Sequence, residues 1–472
     1  MSIPIPRSLG SRFTTLLHSY VQSDGLPLAS VLTEPQIQAA ARAERVTFGT
    51  RDNDVYTPAI TLWAFVGQVL AGRKSCVAAV ARIIALRVAL GLPPCSSRTG
   101  AYCKARVKLS ENFLRRLTYQ VGSEVEDQAP AKWRWHDRRV LFADGTTGTL
   151  PDSAENQAAY PQPRSQRPGL GFPMIRLIVL VTFATATIVG AAFGPYKGKE
   201  TGETALFRQL FEQLRAGDVV VADRYYCSYW MIALLLQRGV DVAFRLHQLR
   251  KYDFARGRRL GHDDHVVDWH RPARPSWMDE ATYATMPETI SVREVRFQVD
   301  EPGYRTRALI VATTLLDERV YRREDIADLY HRRWLAELDL RAIKRTLGME
   351  RLTCQTPAMA RKELWAHLLG YNLVRKVAAQ AAWDKGLNPR QLSFAGTVQI
   401  VAEFQMVLLA CDNDDERVRV GQVMFAAIVV HRVGDRPGRV EPRCVKRRSG
   451  NAYPVLTEPR GEARAKLIDP VA

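Results

Sequence analysis

The chain has 472 residues, of which 46% are hydrophobic and 25% charged, and that balance excludes a wholly disordered protein. At roughly 100–200 residues per domain the length suits two to four structural units. Lys and Arg number 67 against 49 Asp and Glu, and the resulting +18 favours a polyanionic partner, nucleic acid before a membrane surface. Seven Cys are scattered without a C-x-x-C pair, which argues against a zinc ribbon or a disulfide framework and suits a reducing cytoplasm. The opening MSIPIPRSLGSRF has no apolar core and does not read as a secretory signal.

Residues 1–135 read as helical. TLWAFVGQVLAG (61–72) is apolar at helical spacing up to Gly72, and a second run from Ser75 to Leu90 stops at GLPP. Ser110 is a candidate N-cap for ENFLRRLTYQV, and Lys104, Lys108 and Arg115 would share a face on one continuous helix. The period then changes. RRVLFADGTT (138–147) reads as a strand ending at Asp144 and a Gly-Thr-Thr turn, followed by a polar loop over 150–173. Leu177 to Tyr196 is 20 residues without a charge, long enough for a membrane span. Its β-branched content, Gly190, Gly194 and Pro195 read better as two buried strands, so no membrane association is expected. Thr201 is a candidate N-cap for a helix closed by Gly217, and DVVVADRYY (218–226) is a strand apolar up to Asp223. A further helix and strand give the order β-β-β-α-β-α-β, a mixed sheet covered by helices.

Residues 248–307 break this alternation and read as a β-rich insertion carrying Arg256, Arg258, Arg259, Arg271 and Arg274. Arg322 to Leu347 reads as one long helix. Residues 351–412 supply further helices. Residues 413–472 read as short strands and loop, with a basic cluster of Arg432, Arg436, Arg439, Arg443, Lys446, Arg447 and Arg448.

Two carboxylates, Asp144 and Asp223, each follow an apolar strand, a costly place for a charge unless a cation binds it. Paired carboxylates that hold two hard cations roughly 3.5–4 Å apart serve phosphodiester cleavage and joining. A third acid should come from a helix beside the sheet. With Glu337 at zero, Tyr330, Arg333, Arg341 and Lys344 fall at about +20°, −40°, +40° and −20° on a continuous helix. This puts a carboxylate inside a cationic stripe suited to phosphate. Helix charge pairing explains much of that stripe equally well. Asp339, at about 200°, is a poor rival to Glu337.

Y-x2-R-x3-E-x6-K (Tyr330, Arg333, Glu337, Lys344) resembles the signature of the insertion sequence 4 family of bacterial transposases. DGTT and ADRYYCSY resemble the regions around the family's first two catalytic acids, and TLWAFVGQVLAGRKSC, TGAYCKAR, GKETGE and DRPGRVEPRCVKRR look familiar too. The resemblance implies a ribonuclease-H-like catalytic core at 136–247 and 308–350, interrupted by the 248–307 insertion. Residues 1–135 would recognise DNA ends. It implies Asp144, Asp223 and Glu337 as ligands of Mg(II), with Mn(II) able to substitute, and phosphate contacts by Tyr330, Arg333 and Lys344. The partners it implies are double-stranded DNA, both inverted-repeat ends and target, and a second copy of the chain. The activity it implies is cut-and-paste transposition by end cleavage, a hairpin step and strand transfer. No G-x-x-x-x-G-K-[ST] loop is present, and no nucleotide cofactor is expected.

Other features read more plainly. HDDHVVDWH (262–270) could bind zinc but matches no ligand spacing. Cys227 has no activating partner in sequence and reads as a small buried residue. Trp365 and Tyr371 read as core. Trp334, Trp269 and Trp277 are candidates to stack an unpaired base, each with simple packing as the alternative. A nuclease of the same fold that cuts without joining, and an inactive DNA-binding descendant, are the rival functions. The end-recognition region argues against the first and the intact acids against the second.

Overall fold

Nine strands form one mixed sheet: β1 (Val140–Thr149), β2 (Met174–Thr182), β3 (Ile188–Pro195), β4 (Val219–Ala222), β5 (Asp241–Arg245), β6 (Arg258–Gly261), β7 (Asp264–His270), β8 (Thr289–Gln298) and β9 (Ala308–Thr313). Their order is β3-β2-β1-β4-β5-β9-β8-β7-β6. The computed structural model describes residues 32–51, 53–71, 74–89, 91–298, 308–411, 413–433 and 457–468. The charge-free stretch is the β2–β3 hairpin, antiparallel with Thr182 N donating to Thr187 O at 2.9 Å and Tyr196 N to Met174 O at 3.2 Å. β4 and β5 are parallel, joined by the helix Tyr229–Leu236. A hairpin, a further strand and a parallel pair stand in the order 3-2-1-4-5, as expected from the resemblance to a ribonuclease-H-like core. β9 pairs antiparallel with β5, and β8, β7 and β6 add to it in turn, so the inserted segment extends the same sheet. Among the described residues no helix is long and apolar enough to cross a membrane.

The described chain divides into two compact units. The sheet unit holds 142–178 and 192–334, with the described residues after 433. Its interior contains a buried ion pair: Arg293 donates from Nε and Nη2 to the two Asp264 oxygens at 2.8 and 2.6 Å, and from Nη1 to the Tyr321 carbonyl at 2.7 Å.

The helical unit holds the described residues up to 141, the hairpin tip 179–191, and the described residues of 335–433. Its N-terminal part is α1 (Glu34–Ala43), α2 (Pro58–Leu70), α3 (Cys76–Ala89), α4 (Gly100–Lys108) and α5 (Glu111–Asp127). The long helix Pro357–Asp384 is buried along most of its length, which is why its hydrophobic residues lack a single stripe. On it, the Asn372 amide donates to the carbonyls of Thr118 and Ile188 and accepts from Ile188 N, each at 2.8 Å. Gly122 on α5 faces the Ile188 carbonyl so closely that a Cβ would not fit. Thr185 caps the contact by donating to Glu126 Oε2 at 2.8 Å.

Several sequence expectations change. β1 does not end at Asp144 but runs on to Thr149, because its β-branched threonines favour extended backbone. Thr201 is not an N-cap: its hydroxyl donates to the Gly198 carbonyl, Gly202 takes the cap position, and the helix is only Glu203–Arg208 before a 3-10 turn at Phe211–Gln213. Lys104, Lys108 and Arg115 do not share one helix, since the backbone is extended at Leu109 and Ser110; Ser110 does cap α5, accepting from Phe113 N. The long helix at 322–347 is three pieces: Arg323–His331, Trp334–Arg341 and a π-helical turn at Ala342–Thr346. Residues 414–430 are helix, not strand, capped by the Asn413 side chain accepting from Glu416 N at 2.8 Å. Gly72, Leu90 and, Arg432 apart, the basic cluster lie outside the described residues.

Arg293→Ala strands a buried carboxylate and is expected to lower unfolding free energy by about 3–5 kcal/mol. Urea denaturation of the full chain measures this. Replacing Asp264 and Arg293 together by apolar residues is expected to restore most of it.

Candidate active site

β1 is buried through Ala143 and half-buried over residues 144–147, so Asp144 stands where the strand leaves the apolar interior. Its Oδ1 accepts from Gly145 N at 2.9 Å, and its Oδ2 lies 4.0 Å from Arg333 Nη1. Asp223 follows the last residue of the wholly buried β4, and its Oδ1 accepts from Tyr225 N at 2.7 Å. The two acids were legible as strand-end carboxylates, although only Asp223 stands at a strand's true end.

Tyr330 and Arg333 belong to the same unit as these acids. Tyr330 is buried on the helix Arg323–His331, and Arg333 sits in the turn after it, its amide bonded to the Tyr330 carbonyl at 3.0 Å. That tight turn ends the helix with no proline or glycine to announce it, so Tyr330 and Glu337 lie on two successive helices. Burial pushes the Tyr330 hydroxyl up to about 12, with Asp223 adding to the shift and the Arg333 and Arg245 charges opposing it. Tyr330 is thus a neutral hydroxyl at ordinary pH. Burial, then the neighbouring Arg224 charge, holds Arg245 below its ordinary range. Guanidinium groups therefore gather around Asp223 and Tyr330. Trp334 is 43% exposed at the edge of this unit.

Glu337, Arg341 and Lys344 belong to the helical unit. Glu337 is half-buried on the helix Trp334–Arg341, Arg341 is exposed, and Lys344 is half-buried in the π-helical turn. Asp339, set aside from the sequence, is buried and ion-paired to Arg375 and Arg390.

Two residues near the strand acids were missed. Glu203 lies over β1: a Cβ on Gly145 would stand 2.8 Å from its carboxylate carbon, so a larger residue there would push the Glu203 side chain aside. Burial raises the Glu203 pKa and Asp223 adds to it, against the opposing charge of Arg176. Glu203 belongs to the GKETGE string, which carried a family likeness but no chemical reason to choose that residue. Tyr225, 67% exposed beside Asp223, is the second. Its signal was a doubled aromatic directly after the acid. Tyr226 is buried against Phe207 and Phe244, and its pKa is raised by burial first and then by Glu203, Asp144 and Asp223.

The other candidates resolve as structure. In 262–270, His265 bonds the Arg256 carbonyl and Glu294, Trp269 donates to Glu294 at 3.0 Å, Asp263 pairs with Arg296, and Asp268 accepts from Ser291. Among the described residues no three His, Cys, Asp or Glu side chains form a ready metal-binding group. Arg250 covers the Trp269 ring at 3.4 Å and Arg208 the Trp277 ring at 3.9 Å, while Trp365 and Tyr371 are core.

A family model described as a transposase DDE domain matches residues 135–373. The transposase InsG for insertion sequence element IS4 of Escherichia coli (strain K12) is 27% identical over 357 residues, 74% of this chain and 76% of that protein. A piggyBac transposase solved in a synaptic complex with hairpin DNA aligns over 90% of this chain and 86% of its own, at 12% identity and a TM-score of 0.41.

Cys227 is 6% exposed, and burial pushes its thiol up to about 12. The thiolate is the nucleophile, so at pH 8 the folded protein is expected to leave Cys227 unlabelled by iodoacetamide. Peptide mass spectrometry should find it labelled only in urea. Fast labelling of the folded chain would return Cys227 to the list of reactive groups.

Proposed function

Because the chain belongs to the transposase DDE domain family it is a metal-dependent DNA transposase, and we propose that Asp144, Asp223 and Glu337 are its catalytic acids. The observation that carries this reading is the placement of Asp144 and Asp223 at the exits of two buried strands, with Arg333 4.0 Å from Asp144. The three offer only carboxylate oxygens, a donor set that fits hard divalent cations such as Mg(II), with Mn(II) substituting. When bound, such ions supply Lewis acidity and neutralise charge at the phosphodiester.

The chain's own residues do the rest. Arg333 and Lys344 hold phosphate oxygens of the DNA end, the first by a planar fork and the second as a point charge. Tyr330 keeps its proton and donates from a buried position, and Arg341 adds a peripheral phosphate contact. Residues 1–135 recognise the inverted-repeat end, 351–412 support the core, and the basic 413–472 segment contributes non-specific DNA contacts. Two copies of the chain hold two ends together, in the cytoplasm where the bacterial DNA lies. End cleavage frees a 3′-OH, a hairpin forms and reopens, and the freed ends join target DNA. Of the three tryptophans, exposed Trp334 is the one available to stack an unpaired base, since Trp269 and Trp277 already lie under arginines.

Asp144→Ala, Asp223→Ala and Glu337→Ala are each expected to reduce end cleavage by roughly 10³-fold or more, the loss of several kcal/mol of transition-state stabilisation. Specific end binding, measured by gel shift, should remain near wild type. Near-normal cleavage by any one variant in Mg(II) removes that residue from the triad.

Arg333→Ala and Lys344→Ala are expected to lower the slope of log K against log salt by roughly one unit each. Fluorescence anisotropy on an end duplex across a salt series measures it. Unchanged slopes in both would assign the two residues to structure.

A further inference from the structure

Glu337 needs more than its own side chain to act as a ligand, because a helix free to roll would carry the carboxylate away from a fixed cation. The helical unit holds that helix at Asp339, two residues on and about 200° around the axis. Asp339 is 1% exposed. Its Oδ1 accepts from the Tyr371 hydroxyl at 3.0 Å and from Arg375 Nη2 at 2.7 Å, and its Oδ2 from Arg390 Nη1 at 2.9 Å. Ala336 and Leu340 on the same helix are also buried, and Glu337 is left at the margin of the buried face.

Arg390 does more than neutralise Asp339. Its Nη2 donates to the Thr182 carbonyl at 2.6 Å and its Nε to the Phe183 carbonyl at 2.5 Å. Those carbonyls close the β2–β3 turn. Phe183 N in turn donates to Val140 O at 2.9 Å, and Val140 begins the strand that carries Asp144. One planar guanidinium thus bonds a carboxylate with one nitrogen and two successive backbone carbonyls with the others. An ammonium group cannot span the three in that geometry. Arg375 is committed elsewhere, donating from Nε to the Tyr371 hydroxyl at 2.9 Å and lying over the Phe394 ring at 5.0 Å. It neutralises Asp339 without reaching the turn.

We propose that Arg390 is a positioning residue for catalysis: by tying Asp339 to the β2–β3 turn it fixes the rotation of the Trp334–Arg341 helix and so the setting of Glu337. The proposal rests on the reading of Glu337 as a metal ligand. It assigns a task to a residue outside the Y-x2-R-x3-E-x6-K pattern.

The test uses the full chain bound to an end duplex, comparing Arg390→Gln, Arg390→Lys and Glu337→Gln with wild type. Mn(II) affinity is read by electron paramagnetic resonance, and amide hydrogen exchange is followed over residues 334–341. Arg390→Gln is expected to weaken Mn(II) binding and to speed exchange in that segment by about tenfold each, the effect of losing a charged hydrogen bond. Its salt slope for DNA binding should stay at the wild-type value. Arg390→Lys keeps the charge but loses the fork, and should also fall short of wild type in both readouts. Wild-type Mn(II) affinity and exchange in folded Arg390→Gln overturn the proposal. If that variant does not fold, the same result in Arg390→Lys overturns it. Wild-type Mn(II) affinity in Glu337→Gln would instead sink the reading of Glu337, and exchange over 334–341 in the Arg390 variants would still report whether the clamp exists.

Discussion

A carboxylate on a strand buried on both faces must leave the interior, find donors or meet a cation, and the catalytic core is arranged around that demand. β1 and β4 carry apolar residues up to the position before each acid, so the sheet delivers Asp144 and Asp223 to the same kind of boundary. Asp144 accepts from Gly145 N and Asp223 from Tyr225 N, contacts that help orient the two carboxylates. Glu203 lies against β1 at Gly145, and Tyr226 is buried within range of the charges of Glu203, Asp144 and Asp223. The guanidinium charges of Arg224 and Arg333 both act on Arg245, and Arg333 lies 4.0 Å from Asp144.

The helical unit is held by polar contacts as much as by its core. Asn372 satisfies a hairpin strand edge that would otherwise present an unpaired amide and carbonyl, and Thr185 meets Glu126 in a buried pair. Asp339 is the strongest instance: three donors converge on one carboxylate, and one of them reaches on to the backbone of the β2–β3 turn. Buried polar networks of this kind specify one arrangement, since any slip leaves a charge unpaired.

Much of this was legible because the signals were local. The strand-helix alternation from Val140 to Arg245, the two strands in the charge-free stretch, and the Ser110 cap all follow from periodicity and short-range chemistry. Asp144 and Asp223 announced themselves by polarity after apolar runs. What escaped depended on tertiary partners. The helix break at Arg332 and Arg333 has no breaker residue, and it shows only in the tight turn that ends the Arg323–His331 helix. Asp339 fell about 200° from Glu337 and gave no sign of its own role, because its partners lie 32 to 51 positions away in the chain. Glu203 and Tyr225 sit in strings that carried a likeness without a stated role. Residues 414–430 looked like strand through their valines, although the Asn413 cap was there to be read.

Where the divalent ion binds decides whether Asp144, Asp223 and Glu337 are its ligands. Replacing Mg(II) with Fe(II) in the protein–DNA complex and adding ascorbate and peroxide generates hydroxyl radicals at the site, which cut the polypeptide beside the ion's ligands. The account predicts backbone cuts clustered near Asp144, Asp223 and Glu337, suppressed by excess Mg(II). Cuts concentrated elsewhere, as at 262–270, with none near those three acids, would contradict it.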